Sequence, residues 1–176
     1  FKAPPFPEFR LFGAERRVHP VRALDAKGQD VRAKLAATDR SYPDTFERNY
    51  SGVAELHTLD LDFGAAAADN RAVLILNGWV DWADGSTFLG VSQEDPKGLI
   101  FPSVQVKDAA GRWVTVVEDM GIPAGKPKTI AVDLTGKFLS RSREVRIVTN
   151  LCVYWDEVFL SESSAPPPAV LTPMTA

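Results

Sequence analysis

Apolar positions along this chain recur in short alternating runs, each broken within a few residues by Gly, Asp, Asn or Pro. That spacing predicts half-buried strands joined by tight turns, the pattern of an all-β antiparallel sandwich or barrel. Strands are expected near residues 17–24, 53–63, 72–80, 101–107, 113–117, 128–134 and 144–160. No long segment keeps a helical period, so little helix is expected; the short candidates are 31–37 and the alanine-rich 64–70.

Alternation also assigns faces. In AVLILNGWVD, Leu74, Leu76 and Gly78 fall on one side of a strand, with Ile75, Asn77, Trp79 and Asp81 on the other. In EVRIVTNLCVYWDEVFL an unbroken strand would put Val145, Ile147, Thr149, Leu151, Val153 and Trp155 together, opposite Arg146, Val148, Asn150, Cys152, Tyr154 and Asp156. Neither face is cleanly polar, which predicts a central strand covered on both sides. By the same count Asp156 and Glu157 point to opposite faces.

Two turns share a chemistry. VRALDAKGQDV and VQVKDAAGRWV carry Asp and Gly at matching offsets, Asp25/Gly28 and Asp108/Gly111. An Asp able to cap a turn, followed by a Gly free to take positive φ, predicts a bulged hairpin at each. The ends differ: residues 1–8 hold three prolines and read as a linker, and 162–176, rich in Ser, Ala and Pro, read as a disordered tail. A single domain is expected over 9–161, with 9–51 as an added hairpin and loop.

Composition narrows the function. With 176 residues and 45% hydrophobic content the chain can bury a sizeable core. A formal charge of -3 gives no general attraction for nucleic acid or anionic lipid, so neither is expected as a partner. Residues 1–48 hold ten Lys/Arg against seven Asp/Glu, which leaves ten against sixteen for the rest. That mild split fits scattered surface charge. No apolar run approaches the ~20 residues that span a bilayer, so no membrane insertion is expected. One cysteine, Cys152, excludes an internal disulfide and a thiolate zinc cage; its apolar neighbours point to a packed thiol and not a nucleophile.

The pieces LHTLDLDFG, AVLILNGWVDW, SVQVKDAAGRWVTVVEDMGIPAGKPKTIAVDLTGKFL and VRIVTNLCVYWDEVFL resemble a module at the C-terminal side of large bacterial proteins that carry FG-GAP or tetratricopeptide repeats. The resemblance covers residues 52–160. The arrangement is also similar to the galactose-binding-like jelly roll. Leu59, Asp60, Leu61 and Gly64 match its opening strand, with Asp62 and Phe63 inserted; Asp156, Glu157 and Val158 match its closing one. The resemblance implies a β-sandwich accessory domain next to other domains of a longer chain, in an extracytoplasmic setting. It brings no catalytic or calcium-binding residue set with it.

No nucleophile elbow, P-loop, zinc-protease or dinucleotide motif is present, so the chain is expected to be non-catalytic. The carboxylate pairs Asp60/Asp62, Asp81/Asp84 and Asp156/Glu157 leave a glycoside-active enzyme as the third reading, since hydrolysis needs two acids facing each other across a cleft. His57 shares a face with Glu55, a weak metal or acid/base pair against the alternative of a hydrogen-bonded strand histidine.

NGWVDWADG concentrates the binding candidates. Asp81, Trp82 and Asp84, with Phe88 beyond, are the expected ligand-binding residues, and Asp81 with Asp84 are candidate ligands for a structural calcium through hard carboxylate oxygens. No other cofactor is expected. The remaining aromatics Trp79, Trp113, Tyr154 and Trp155 suit either recognition or packing, and packing is favoured for the three tryptophans. Two loops, 42–52 with its aromatics and 118–128 with lysines able to meet an anion, are further surfaces. The leading expectation is a binding module for a carbohydrate or a protein partner; the alternative is a structural domain packing on neighbouring repeats.

Overall fold

A computed structural model describes residues 11–14, 16–65, 71–81, 83–94, 98–162, 168 and 170. Among the described residues ten strands form two antiparallel sheets packed face to face. They are β1 (Arg17–Val18), β2 (Arg22–Leu24), β3 (Arg48–Tyr50), β4 (Val53–Ala65), β5 (Val73–Val80), β6 (Ser103–Lys107), β7 (Trp113–Val117), β8 (Lys128–Asp133), β9 (Ser142–Leu151) and β10 (Val153–Ser161). The smaller sheet runs β1-β10-β5-β8; the larger runs β2-β4-β9-β6-β7, with β3 beside β4. The pair β4/β9 of the larger sheet continues as β5/β10 of the smaller one. The paired strands thus wrap around the core as in a jelly roll.

The core lies between the sheets. Leu59, Leu61, Val104, Val106, Val145 and Ile147 come from the larger sheet and meet Leu74, Leu76, Val132, Trp155, Val158 and Leu160 of the smaller. Each fully buried aliphatic side chain contributes about 1.5–3 kcal/mol relative to exposure. Gly78 shares the inward face of β5, and a Cβ there would stand 2.8 Å from the Trp155 ring. The indole of Trp155 therefore occupies the space that any larger side chain would need.

The run 144–160 is not one strand. Cys152 lies outside the ladder, and the chain crosses there from the larger sheet to the smaller, so β9 has one face to the core and β10 is buried on both. The 17–24 run is likewise two strands, in different sheets, separated by Pro20, whose missing N–H breaks the ladder. Because β1, β2 and β3 bond to the two sheets, residues 17–50 supply strands of the sandwich itself.

The two expected turns have one geometry. Asp25 Oδ1 accepts the N–H groups of Lys27 and Gln29, and Asp108 Oδ1 those of Ala110 and Arg112. Gly28 and Gly111 take φ of 74° and 77°, where a side chain is strained. Segment 31–37 contains a 3-10 turn, Arg32–Leu35. Of the helical candidate 64–70, Gly64 and Ala65 belong to β4 and 66–70 lie outside the described residues. So do the linker 1–8 and most of the tail. A helix that alternation does not predict, α1 (Gly85–Glu94), follows β5.

Candidate functional site

The outer face of the smaller sheet is shaped by one irregularity. Between Trp155, opposite Gly78, and Val158, opposite Leu76, two residues of β10 face only Asn77. This bulge turns Asp156 and Glu157 to the same side, away from the core, where strict alternation places them on opposite faces. Both acids hold down segment 38–42. Asp156 Oδ1 accepts the backbone N–H groups of Asp39 (3.1 Å) and Arg40 (3.0 Å). Glu157 accepts from Arg17 (3.0 Å), Thr38 (3.2 Å) and Asn77 (3.1 Å) and is bonded to His19 Nε2 at 3.2 Å. Burial pushes the Glu157 carboxyl up, but the His19 bond and the charge and bond of Arg17 outweigh it, leaving it below the ordinary range.

Beside this anchor, register places Trp79 opposite Tyr154, and the rings stack at 4.4 Å and 10°. Tyr42 meets both edge-on at 6.0 Å. Asn77 is fixed from two sides, since Nδ2 donates to Glu157 and Oδ1 accepts the Thr129 hydroxyl at 2.6 Å. A cleft of about 300 Å³ opens here, bordered by Tyr42, Asn77, Trp79, Lys128, Thr129 and Asp156. Half-buried Trp79 makes ring contacts but donates no indole hydrogen bond among the described residues. The exposed Lys128 ammonium pairs with no carboxylate among them. The cleft therefore joins a rigid aromatic, an oriented amide and an available cation.

Other hollows offer less. One of about 30 Å³ beside Phe46 and His57 has room for about one water. Another, of about 380 Å³, borders Tyr50, Glu94 and Asn150. Its polar groups are engaged, as Asn77 is, with Tyr50 donating to Glu94 at 2.8 Å and the Asn150 amide bonding Gly98 and Ile100, but neither lysine nor arginine lines it.

The residues singled out from NGWVDWADG lie elsewhere. Asp81 follows β5, and its N–H donates to the Cys152 carbonyl at 2.9 Å. Trp82 lies outside the described residues. Asp84 caps α1: Oδ1 accepts the Ser86 hydroxyl (2.6 Å) and the Thr87 N–H (2.8 Å) and hydroxyl (3.0 Å). These bonds, the Ser86 hydroxyl foremost, hold its carboxyl below the ordinary range. Phe88 packs against the core. None of Asp81, Asp84 and Phe88 lines the Trp79 cleft. Among the described residues no three His, Cys, Asp or Glu side chains gather to hold a metal ion, so the candidate calcium ligands Asp81 and Asp84 have no third acidic partner among them.

The remaining candidates have structural occupations. His57 Nδ1 donates to the Glu55 backbone carbonyl at 2.9 Å, and its ring stacks on Phe46 at 4.8 Å, so the Glu55 carboxylate is not its partner. Burial pushes the Cys152 thiol up to about 11, too high for a thiolate at neutral pH. Trp155 is core. Trp113 lies on the outer face of the larger sheet under Arg146 (4.3 Å to the ring) and Lys107 (5.1 Å). Among the described residues no helix is long and apolar enough to cross a membrane. Sequence reasoning put Asn77 and Trp79 on one face correctly. It missed the cleft because the bulge and the packing of segment 38–42 leave no periodic trace. A scan against protein-family models gives no match to this chain, and a search of curated proteins gives none either.

Proposed function

We propose that the chain is a non-catalytic accessory binding module of a larger bacterial, extracytoplasmic protein, and that it takes a saccharide in the Trp79 cleft. The supporting observation is the state of Trp79: its ring is stacked on Tyr154 at 4.4 Å, and its N–H has no acceptor among the described residues. A sugar presents apolar C–H faces and a rim of hydroxyls, which suits an aromatic plane beside amide and hydroxyl oxygens. The Asn77 carbonyl and the Thr129 hydroxyl oxygen, each with a lone pair left to accept, supply those groups. The galactose-binding-like resemblance points the same way but carries no ligand set. Against hydrolysis, Asp156 and Glu157 are engaged by backbone N–H groups and by Arg17 and His19, so neither stands as a free acid across a cleft.

Glycan-array screening followed by calorimetry tests the reading. Binding should appear in the wild type and fall about tenfold in Trp79→Ala, given about 0.5–1.5 kcal/mol for an aromatic contact beyond the area it buries. A blank array with correctly folded protein overturns it. The second reading, a domain that docks on neighbouring repeats, draws on exposed Leu89 and Phe101, at 58% and 40%. It predicts that these side chains become protected from surface labelling in the full-length protein.

A further inference from the structure

Charge around the Trp79 cleft does not cancel. Of its acids, Asp156 and Glu157 are bonded within the fold, and exposed Asp39 accepts the Ser41 N–H. Asp156, only 5% exposed, has its Oδ1 clasped by two successive backbone N–H groups, those of Asp39 and Arg40. Successive N–H groups converging on one oxygen form an anion nest. Arg40 takes φ of 68° in that arrangement, a left-handed conformation uncommon outside glycine. Glu157, behind Asn77, is bonded to Arg17 and His19.

The cations are not answered. Lys128 lines the cleft, Lys126 precedes the cleft-lining Pro127, and Arg40 supplies the second N–H of the nest. All three are exposed, and among the described residues none is paired with a carboxylate. Against the carboxylates of Asp39 and Asp156 the three cations leave an excess of one positive charge, opposite in sign to the net charge of -3 of the whole chain. Of the two lysines in the 118–128 connection, Lys128 thus shares a cleft with the aromatic platform.

We propose that the Trp79 cleft is built for an anionic saccharide unit, its ring against the indole and its carboxylate or sulfate at Lys128, with Lys126 and Arg40 adding attraction at the rim. The proposal rests on the saccharide-binding reading of the same cleft. A neutral sugar would use the ring and the amide but leave the cations unused.

The test is calorimetry at about 50 mM salt, where the Debye length exceeds 10 Å. The probes are uronate oligosaccharides beside their carboxyl-reduced forms, and sulfated oligosaccharides beside their desulfated forms. At least one anionic probe should bind about tenfold more tightly than its neutral partner, and which one does so distinguishes carboxylate from sulfate. Lys128→Ala should lower affinity for that probe about two- to fivefold, the range of one exposed ion pair, and leave the neutral partner unchanged. Arg40→Asn combined with Lys126→Ala and Lys128→Ala should bring the two to parity; Asn tolerates the left-handed backbone.

Equal binding of charged and neutral partners overturns the anionic preference while the saccharide reading stands. A preference that survives the triple substitution, or anionic binding unchanged in Trp79→Ala, also overturns it, because the charge is then read elsewhere. If no probe and no array glycan binds protein that melts as a folded domain, the saccharide reading fails and this proposal with it.

Discussion

Trp79 and Trp113 occupy the outer faces of the two sheets, and their surroundings differ in what is left over. On the larger sheet the charged neighbours of Trp113 are mutually satisfied. Arg146 forks onto Asp60 at 2.6 Å through both Nε and Nη2, Lys107 meets Glu144 at 2.6 Å, and both cations lie over the indole. On the smaller sheet Trp79 rests on another ring, and Lys128 lines the same cleft without a carboxylate partner among the described residues. Aromatics and charge occur on both faces. A recognition site is distinguished by polar groups whose bonding capacity is still unspent.

The largest effect that would sharpen this contrast is at Gly78, next to Trp79 but on the core side of β5. A Cβ at Gly78 would stand 2.4 Å from the Tyr154 carbonyl oxygen and 2.8 Å from Trp155 Cε3, contacts that only a backbone shift can relieve. Gly78→Ala is expected to cost about 3 kcal/mol in denaturant unfolding. Gly90→Ala, in α1 with open space around the new methyl, should instead stabilise by about 0.5–1 kcal/mol through helix propensity. Equal responses at the two glycines would break the account of Gly78 as a close-approach position.

Glu157→Gln comes next. The substitution keeps the shape but removes a charge that answers Arg17 and His19, and a loss of about 1–3 kcal/mol is expected. The sign with pH follows from the direction of the shift. The folded carboxyl lies below its ordinary value, so its stabilisation is full above the unfolded value of about 4.3 and is lost as pH falls through the folded one. Melting curves from pH 7 down to 2 should converge for the wild type and Glu157→Gln. If the gap between them stays constant, Glu157 is not the acid-sensitive anchor of segment 38–42.

Asp84→Ala tests a residue that belongs to neither face. Loss of the cap on α1 should cost about 1 kcal/mol and leave saccharide affinity at the Trp79 cleft unchanged in calorimetry. A drop in affinity with unchanged stability would return Asp84 to the binding site.

How much of this was legible in the chain depends on local rules that survive folding. The Asp25/Gly28 and Asp108/Gly111 turns were readable because an Asp side chain and a positive-φ Gly act within five residues, and both copies have the same bonds. The division of β5 into Leu74, Leu76 and Gly78 against Asn77 and Trp79 followed from a period of two that nothing interrupts. The same period failed at Asp156 and Glu157, where the bulge adds a residue, and at Cys152, where the chain changes sheets without a Gly or Pro to mark it. Helix α1 was hidden because GSTFLGVSQE has two glycines and a single fully buried position, Val91. The cleft was least legible of all. Its walls come from residues near 40, 78, 128 and 156, and no local pattern announces that four distant segments will meet.

The smallest expected effect probes the face on which charge cancels. Lys107 and Glu144 meet at 2.6 Å with side chains 28% and 22% exposed, so solvent screens a large part of their attraction. Burial pushes the Glu144 carboxyl up, yet the bonds from Lys107 and Ser142 leave it below the ordinary range. A double-mutant cycle with Lys107→Ala and Glu144→Ala should therefore give a coupling of about 0.2–1 kcal/mol that shrinks as salt is raised. Neither single substitution should change saccharide affinity, since the ladder faces away from the Trp79 cleft. A coupling as large as the loss at Glu157, or a change in affinity, would mean that the larger sheet's outer face holds more than a solvated set of paired charges, and the contrast between the two tryptophans would have to be redrawn.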